Sequence, residues 1–206
     1  MDATNRRVLF EKNGYEKVPM ASTTKIMTLL IALEQGNPDD LVTISKYCET
    51  IPRVRLGMKE GEQYRLQDLL YCMMLESYND AAVAIAEHIG GSVSGFATLM
   101  NEKAKDLGAY HTNFVTPNGL DADNHYTTAY DLALIASYAI ENEAFRDIVA
   151  TSNYSFHEQT KGTLHQVSNK DAFLTMYQGA IGIKTGFTSK AGYCFVGAVE
   201  QEQKRL

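Results

Sequence analysis

Apolar residues fall in blocks whose spacing changes from helical in the middle of the chain to strand-like towards its end. Ile26, Met27, Leu29, Leu30, Ile31 and Leu33 form a run that is apolar nearly all round, which predicts a helix buried in a core and entered shortly after Pro19. Tyr64–Glu76 carries Leu66, Leu69, Leu70, Met73 and Met74 at the spacing of a helix packed on one side. It stops at Ser77-Tyr78-Asn79-Asp80, where a second apolar run, Ala81–Ile89, begins and continues to Gly90-Gly91. Ser92 or Ser94 can cap a third helix with Phe96, Leu99, Met100 and Leu107 inward and Gly108 at its C′ position. Thr128 with Asp131 resembles a capping box for a helix reaching Ile140, with Asp in place of the usual Glu or Gln.

The last quarter reads differently. Ser152–His157, Leu164–Val167, Ala180–Thr185 and Tyr193–Val199 are short stretches rich in β-branched and aromatic residues, and they predict strands. Near the start, a tight turn at Asn5-Arg6 leads into Arg7–Glu11, a short strand with Val8 and Phe10 on one face, and Leu41–Ile44 reads as another. Gly36-Asn37-Pro38-Asp39-Asp40 is a strong breaker, Lys46–Glu60 is loop-rich, and a polar loop with Pro117-Asn118-Gly119 fills the interval from Asn113 to Tyr126. Strands at both ends with helices between predict an α+β fold, the terminal segments meeting in one antiparallel sheet beside a helical cluster. With no linker, fixed-period repeat or low-complexity tract, the expectation is one domain over residues 1–206.

Composition narrows the functions open to such a domain. The chain is 45% hydrophobic and 21% charged over 206 residues, enough for one sizeable core. Its net charge of −6 carries no basic footprint for nucleic acid or anionic lipid. No apolar run reaches the roughly 18 residues that span a bilayer, and Met1-Asp2-Ala3-Thr4 does not read as a signal peptide, so the protein is cytoplasmic or has lost a leader. Cys48, Cys72 and Cys194 show neither Cys-x-x-Cys spacing nor an even count and read as small core residues. His88, His111, His125, His157 and His165 form no ligand spacing, so no metal site is expected, and no serine lies in a Gly-x-Ser-x-Gly elbow.

Three short patterns carry candidate chemistry. In Ala21-Ser22-Thr23-Thr24-Lys25 a Ser and a Lys three apart lie on one helix face, about 60° apart around the axis, pairing a nucleophile with a base. Ser22 would sit at a helix N-terminus, where free N–H groups and the dipole favour developing negative charge. The plain alternative is a capping Ser or Thr with a solvated first-turn Lys, and such a pair arises by chance about once in a chain this long. Ser77-Tyr78-Asn79 lies where two helices meet, its alternative being that Asn79 or Asp80 merely caps the second. Lys184-Thr185-Gly186 ends a strand, with a Gly that admits another backbone, or is simply a solvated strand end.

The order Ser-x-x-Lys, Ser-x-Asn, Lys-Thr-Gly is the known signature of penicillin-binding proteins and class A β-lactamases. Ala21–Thr28, Asn79-Asp80-Ala81-Ala82, Pro117-Asn118-Gly119-Leu120, His125-Tyr126-Thr127-Thr128-Ala129 and Gly182–Thr188 further resemble the low-molecular-weight D-alanyl-D-alanine carboxypeptidases, peptidase family S11, over essentially the whole chain. Two departures stand out. Tyr78 replaces a residue commonly Gly in the second motif, and Asn169-Lys170-Asp171 stands where an Asn-basic-Asn segment is usual.

The resemblance implies a penicillin-binding-protein/β-lactamase-like transpeptidase fold. It also implies a bacterial envelope enzyme acting outside the cytoplasm on the D-Ala-D-Ala end of peptidoglycan stem peptides, inhibited by β-lactams and using no cofactor. Membrane association is expected only through segments absent from this chain. Ser22 would form the acyl-enzyme, with Lys25 as its base, a role that needs the amine's ordinary value near 10.4 to fall by about 3 units, roughly 4 kcal/mol. Ser77 would relay a proton to the leaving amine and Asn79 would hold Lys25 and the substrate amide. Lys184 and Thr185 would receive the terminal carboxylate beside Gly186, and the N–H groups of Ser22 and Phe187 would form an oxyanion hole. Two alternatives remain: a class A-like β-lactamase, for which Glu141 and Glu143 lie in the right interval without the Glu-x-x-Leu-Asn pattern, and an inactive cell-wall-binding scaffold. The resemblance also predicts truncation at both ends, Met1-Asp2-Ala3 entering the first strand partway and Gln201–Leu206 opening a hairpin, so that a last strand and helix are lacking and Tyr193–Val199 is short of a partner.

Overall fold

The computed structural model describes residues 1–201 and 204–206. A single turn of 3-10 helix, Ala21–Thr24, leads directly into α1, Lys25–Gln35, whose residues from Lys25 to Ala32 are all buried. This all-round burial follows from position: α1 is surrounded by α3 (Leu66–Leu75), α4 (Asn79–Gly90), α5 (Val93–Asp106), α6 (Ala129–Ala139) and α7 (Glu143–Ala150). The preceding 3-10 turn touches two strands of the main sheet, β5 (Ala180–Thr188) and β6 (Gly192–Gln201). One continuous element therefore joins helical cluster to sheet.

That sheet has the order β5-β6-β7, all antiparallel, β7 being Lys204–Arg205. Lys184 pairs with Val196, Thr185 with Phe195, Gly186 with Cys194 and Phe187 with Tyr193. β1 (Leu41–Thr43) pairs with β2 (Gln63–Arg65), and β3 (Asn153–His157) with β4 (Leu164–Ser168) as a hairpin. Two short helices, α2 (Lys46–Glu49) and α8 (Phe173–Met176), complete the fold, α8 packing on β5. No helix among the described residues is long and apolar enough to cross a membrane.

Several sequence expectations need correction. Arg7–Glu11 is not a strand: the segment turns back through Asp2 N to Arg7 O, and Phe10 is 83% exposed, because no strand among the described residues pairs with it. The terminal segments therefore do not share one regular sheet, and among the described residues the only backbone hydrogen bond between them is Ala3 N donating to Arg205 O at 2.9 Å. Gln63–Arg65 is strand rather than first helical turn, since pairing with β1 places the Tyr64 ring in the core opposite Val42. The loop-rich stretch after Lys46 contains α2, capped by Ser45. α7 escaped the periodicity; Asn142 caps it by accepting from Phe145 N, and Phe145, Ile148 and Val149 face inward. The Thr128–Asp131 box is half made: Thr128 Oγ1 accepts from Asp131 N, but the Asp131 carboxylate turns to His111 N and Thr112 Oγ1. Of the cysteines, Cys48 and Cys72 are buried and Cys194 is half-buried.

Candidate active site

The three-residue spacing of Ser22 and Lys25 survives the change from 3-10 turn to α-helix and brings Lys25 Nζ to 2.9 Å from Ser22 Oγ. Two carbonyl oxygens complete the surroundings of that nitrogen, Asn79 Oδ1 at 2.9 Å and Asn118 O at 2.5 Å. A neutral amine has two N–H groups and one lone pair. With the N–H groups on the two carbonyls, the lone pair faces the Ser22 hydroxyl. Burial, complete at this side chain, pushes the Lys25 pKa well below its ordinary value; the Lys184 ammonium adds to the effect, and Asp80 opposes it.

Backbone fit around Ser22 is very close. Ala21 adopts φ +48°, a left-handed conformation that costs a non-glycine residue on the order of 1 kcal/mol and persists where surroundings enforce it. Gly119, itself at φ +84°, and Gly186 do so from two sides. A Cβ at Gly119 would lie 1.9 Å from Ala21 O, and one at Gly186 would lie 2.8 Å from Ser22 N. Only glycine at both positions lets the loop and β5 close on the turn. Among the described residues the Ser22 N–H has no hydrogen-bond acceptor, so it is free to meet a developing oxyanion.

Asn79 opens α4 and is held from behind. Its N–H donates to Val54 O, and the adjoining Asp80 carboxylate accepts from the N–H groups of Leu56, Gly57, Met58 and Ala81. Ser77 lies just upstream at φ +64°, half-buried, and its hydroxyl makes no hydrogen bond among the described residues. Lys184 is buried to 3% exposure and donates to Thr185 O at 3.0 Å. Burial lowers its pKa to about 8, Asp171 acting to raise it and Lys170 to lower it. Thr185 is half-buried beside it, and the Phe187 ring is exposed against Tyr193.

The structure thus brings Ser22, Lys25 and Asn79 into direct contact and sets Gly186 against them. Lys184 acts on Lys25 through its charge, and Ser77 is adjacent in the chain without a bond to either lysine. Glu141 pairs with Arg6, and Glu143 lies in the first turn of α7. Sequence reasoning assigned no role to the loop from Asn113 to Tyr126, which supplies Asn118 O to Lys25, Pro117 O to Thr28 Oγ1 and His125 Nε2 to Thr24 Oγ1. Its Pro-Asn-Gly turn and lone histidine were the only clues, since a backbone carbonyl leaves no mark in the residue pattern. Among the described residues no group of three or more His, Cys, Asp or Glu could hold a metal ion.

Comparison with known proteins shows which family and fold the chain resembles. The sequence model of the D-alanyl-D-alanine carboxypeptidase family, peptidase S11, matches residues 1–206. The chain is 34% identical over 204 residues to the D-alanyl-D-alanine carboxypeptidase DacF of Bacillus subtilis, covering 97% of this chain and 52% of that protein. It is 32% identical over 220 residues to DacC of Escherichia coli, covering 100% of this chain and 53% of that one. It therefore spans about half the length of these curated relatives. Its fold superposes on the crystal structure of the Streptomyces K15 DD-transpeptidase with a TM-score of 0.91 at 33% identity, covering 100% of this chain and 84% of that one.

Proposed function

The chain belongs to the D-alanyl-D-alanine carboxypeptidase family, peptidase S11, and from that premise we propose that it is a serine-type carboxypeptidase. Its substrates are peptidoglycan stem peptides ending in D-Ala-D-Ala, and its place is the bacterial cell envelope, outside the cytoplasm. The observation that carries the reading is the contact of 2.9 Å between Lys25 Nζ and Ser22 Oγ, made by an amine whose two other neighbours are both carbonyl oxygens.

In this reading neutral Lys25 takes the Ser22 proton as Oγ attacks the carbonyl carbon between the two D-alanines. Charge develops on the carbonyl oxygen against the Ser22 N–H and the N–H of Phe187, each donor worth about 3 kcal/mol in comparable sites. The C–N bond then breaks. The proton held by Lys25 passes to the leaving amine, with Ser77 as relay, and D-alanine departs. Water hydrolyses the ester by the same route in reverse. Lys184 and Thr185 receive the substrate's terminal carboxylate, and Asn79 orients Lys25 and the substrate amide. A β-lactam acylates Ser22 in the same way.

Incubation with a fluorescent penicillin, followed by intact mass and peptide mapping, tests the assignment, and free D-alanine released from a D-Ala-D-Ala peptide tests the activity. A long-lived adduct on Ser22 with D-alanine release is expected. Rapid turnover of the penicillin, a label on Ser77, or one that survives Ser22→Ala would overturn it.

A further inference from the structure

Asp171 is 7% exposed, and its Oδ2 is the buried side-chain polar atom that finds no hydrogen-bond partner among the described residues. A buried acceptor left without a donor is costly, and a carboxylate oxygen more so than a neutral one. The rest of the residue is firmly placed. Oδ1 accepts from Phe173 N at 3.0 Å, and Asp171 N donates to Asn169 Oδ1 at 3.0 Å. The turn that carries it is clamped to the end of α3: Lys170 N donates to Leu75 O, Lys170 Nζ pairs with the Glu76 carboxylate, and Ser168 N donates to Glu76 Oε1. The carboxylate is therefore fixed beside the stretch leading into Ser77, at the start of the segment whose helix, α8, packs on the strand bearing Lys184.

Lys184 has the matching deficit. It is buried, it has three donors, and its one hydrogen bond among the described residues goes to Thr185 O. The other charged group acting on it, Lys170 on the same turn as Asp171, is a cation. We propose that Asp171 is a positioning residue for the peptidase reaction, its free Oδ2 serving as the counter-charge that keeps Lys184 an ammonium while Lys25 is held neutral.

The two lysines need opposite states, Lys184 charged to receive a carboxylate and Lys25 uncharged to accept a proton. Each affects the other, because the Lys184 charge is one of the causes that lower Lys25. Asp171 pulls Lys184 up against burial and Lys170. Its own carboxyl is raised by burial, with the Phe173 N–H and Lys184 opposing, so it depends on the same partner. One carboxylate thereby separates the titrations of two lysines.

The inference rests on the carboxypeptidase reading, and the test keeps the two apart. Asp171→Asn is nearly isosteric and retains an acceptor for Phe173 N, so a folded protein is expected. The rate of Ser22 acylation by penicillin is measured against pH for both proteins, with the Lys184 titration followed by NMR on protein carrying 13Cε-lysine. In Asp171→Asn the alkaline limb moves down by on the order of one pH unit, as Lys184 loses its counter-charge, while the acid limb, at a pH where Lys184 is still charged, stays in place. The pH profile narrows from its alkaline side. Asp171→Glu restores part of the width. A wild-type profile with two limbs that Asp171→Asn leaves in place, or a Lys184 titration that does not fall, overturns the role of Asp171 and leaves the peptidase reading standing. Absence of any acylation in the wild type overturns both.

Discussion

Gly186 lies so close to Ser22 that a Cβ at residue 186 would stand 2.8 Å from the Ser22 amide nitrogen and 3.2 Å from that of Thr23. The two residues are far apart in sequence, and their approach welds the sheet to the turn bearing the nucleophile. Gly186→Ala must push β5 off that turn, since the atoms met are backbone and cannot swing aside. Acylation should fall by about 100-fold, the order seen when one oxyanion donor is lost, and the melting temperature should fall by several degrees, since overpacking of this kind costs about 1–3 kcal/mol. Stopped-flow acylation beside a thermal melt checks this; wild-type acylation in Gly186→Ala would show that the contact relaxes without consequence.

Lys25 and Lys184 should fail differently. Lys25→Ala removes the base, so Ser22 keeps its proton and kcat and kcat/KM on a D-Ala-D-Ala peptide both collapse. Lys184→Ala removes the cation for the substrate carboxylate and raises KM as well as lowering rate. The wild-type profile of kcat/KM should also lose activity above pH about 8, where Lys184 gives up its charge. Full activity in Lys25→Ala would end the mechanism, and an alkaline limb unmoved in Lys184→Ala would detach it from that residue.

Much of the site was readable in the sequence because its chemistry lies in side chains at fixed short spacings: Ser22 with Lys25, Ser77 with Asn79, Lys184 with Gly186. The parts that were not readable act through backbone or burial. Asn118 contributes a carbonyl, Gly119 an absence of Cβ, and Asp171, in the role proposed for it, a buried oxygen without a partner among the described residues. The same holds for the fold. Long runs such as Ile26–Leu33 and strands such as Ala180–Thr185 declared themselves, whereas α7 has only Phe145, Ile148 and Val149 to mark its inward face. Arg7–Glu11 alternates like a strand, yet alternation without a partner makes no ladder.

Asp80 ties the loop at Leu56–Met58 to the first turn of α4 and is the charge that raises Lys25. Asp80→Ala should therefore have two separable effects. Freed N–H groups at Leu56 and Gly57 cost stability, about 2–4 kcal/mol if both stay dry. Lys25, relieved of a negative neighbour, stays neutral to lower pH, so the acid limb of acylation moves down. Urea unfolding measures the first and the pH profile the second, and an acid limb that rises instead would contradict the electrostatic assignment.

His125 makes stability depend on pH with a definite sign. Val115 N donates to its Nδ1 at 2.9 Å, which leaves the hydrogen on Nε2, 2.9 Å from Thr24 Oγ1, between Ser22 and Lys25 in the chain. Burial lowers its pKa to about 4, Asp121 acting the other way, against an unfolded value of about 6.5. Between those values the unfolded chain binds the proton and the folded chain does not, so stability falls as pH is lowered through the window and levels off below about 4. The loss is at most about 3 kcal/mol. His125→Gln can still accept from Val115 N but cannot take up the proton, so its stability should be lower than wild type at pH 7 and should fall less on acidification. Urea unfolding of both proteins at pH 7, 5.5 and 4.5 decides: a gap between them that stays constant across the three would show that His125 does not titrate in this range.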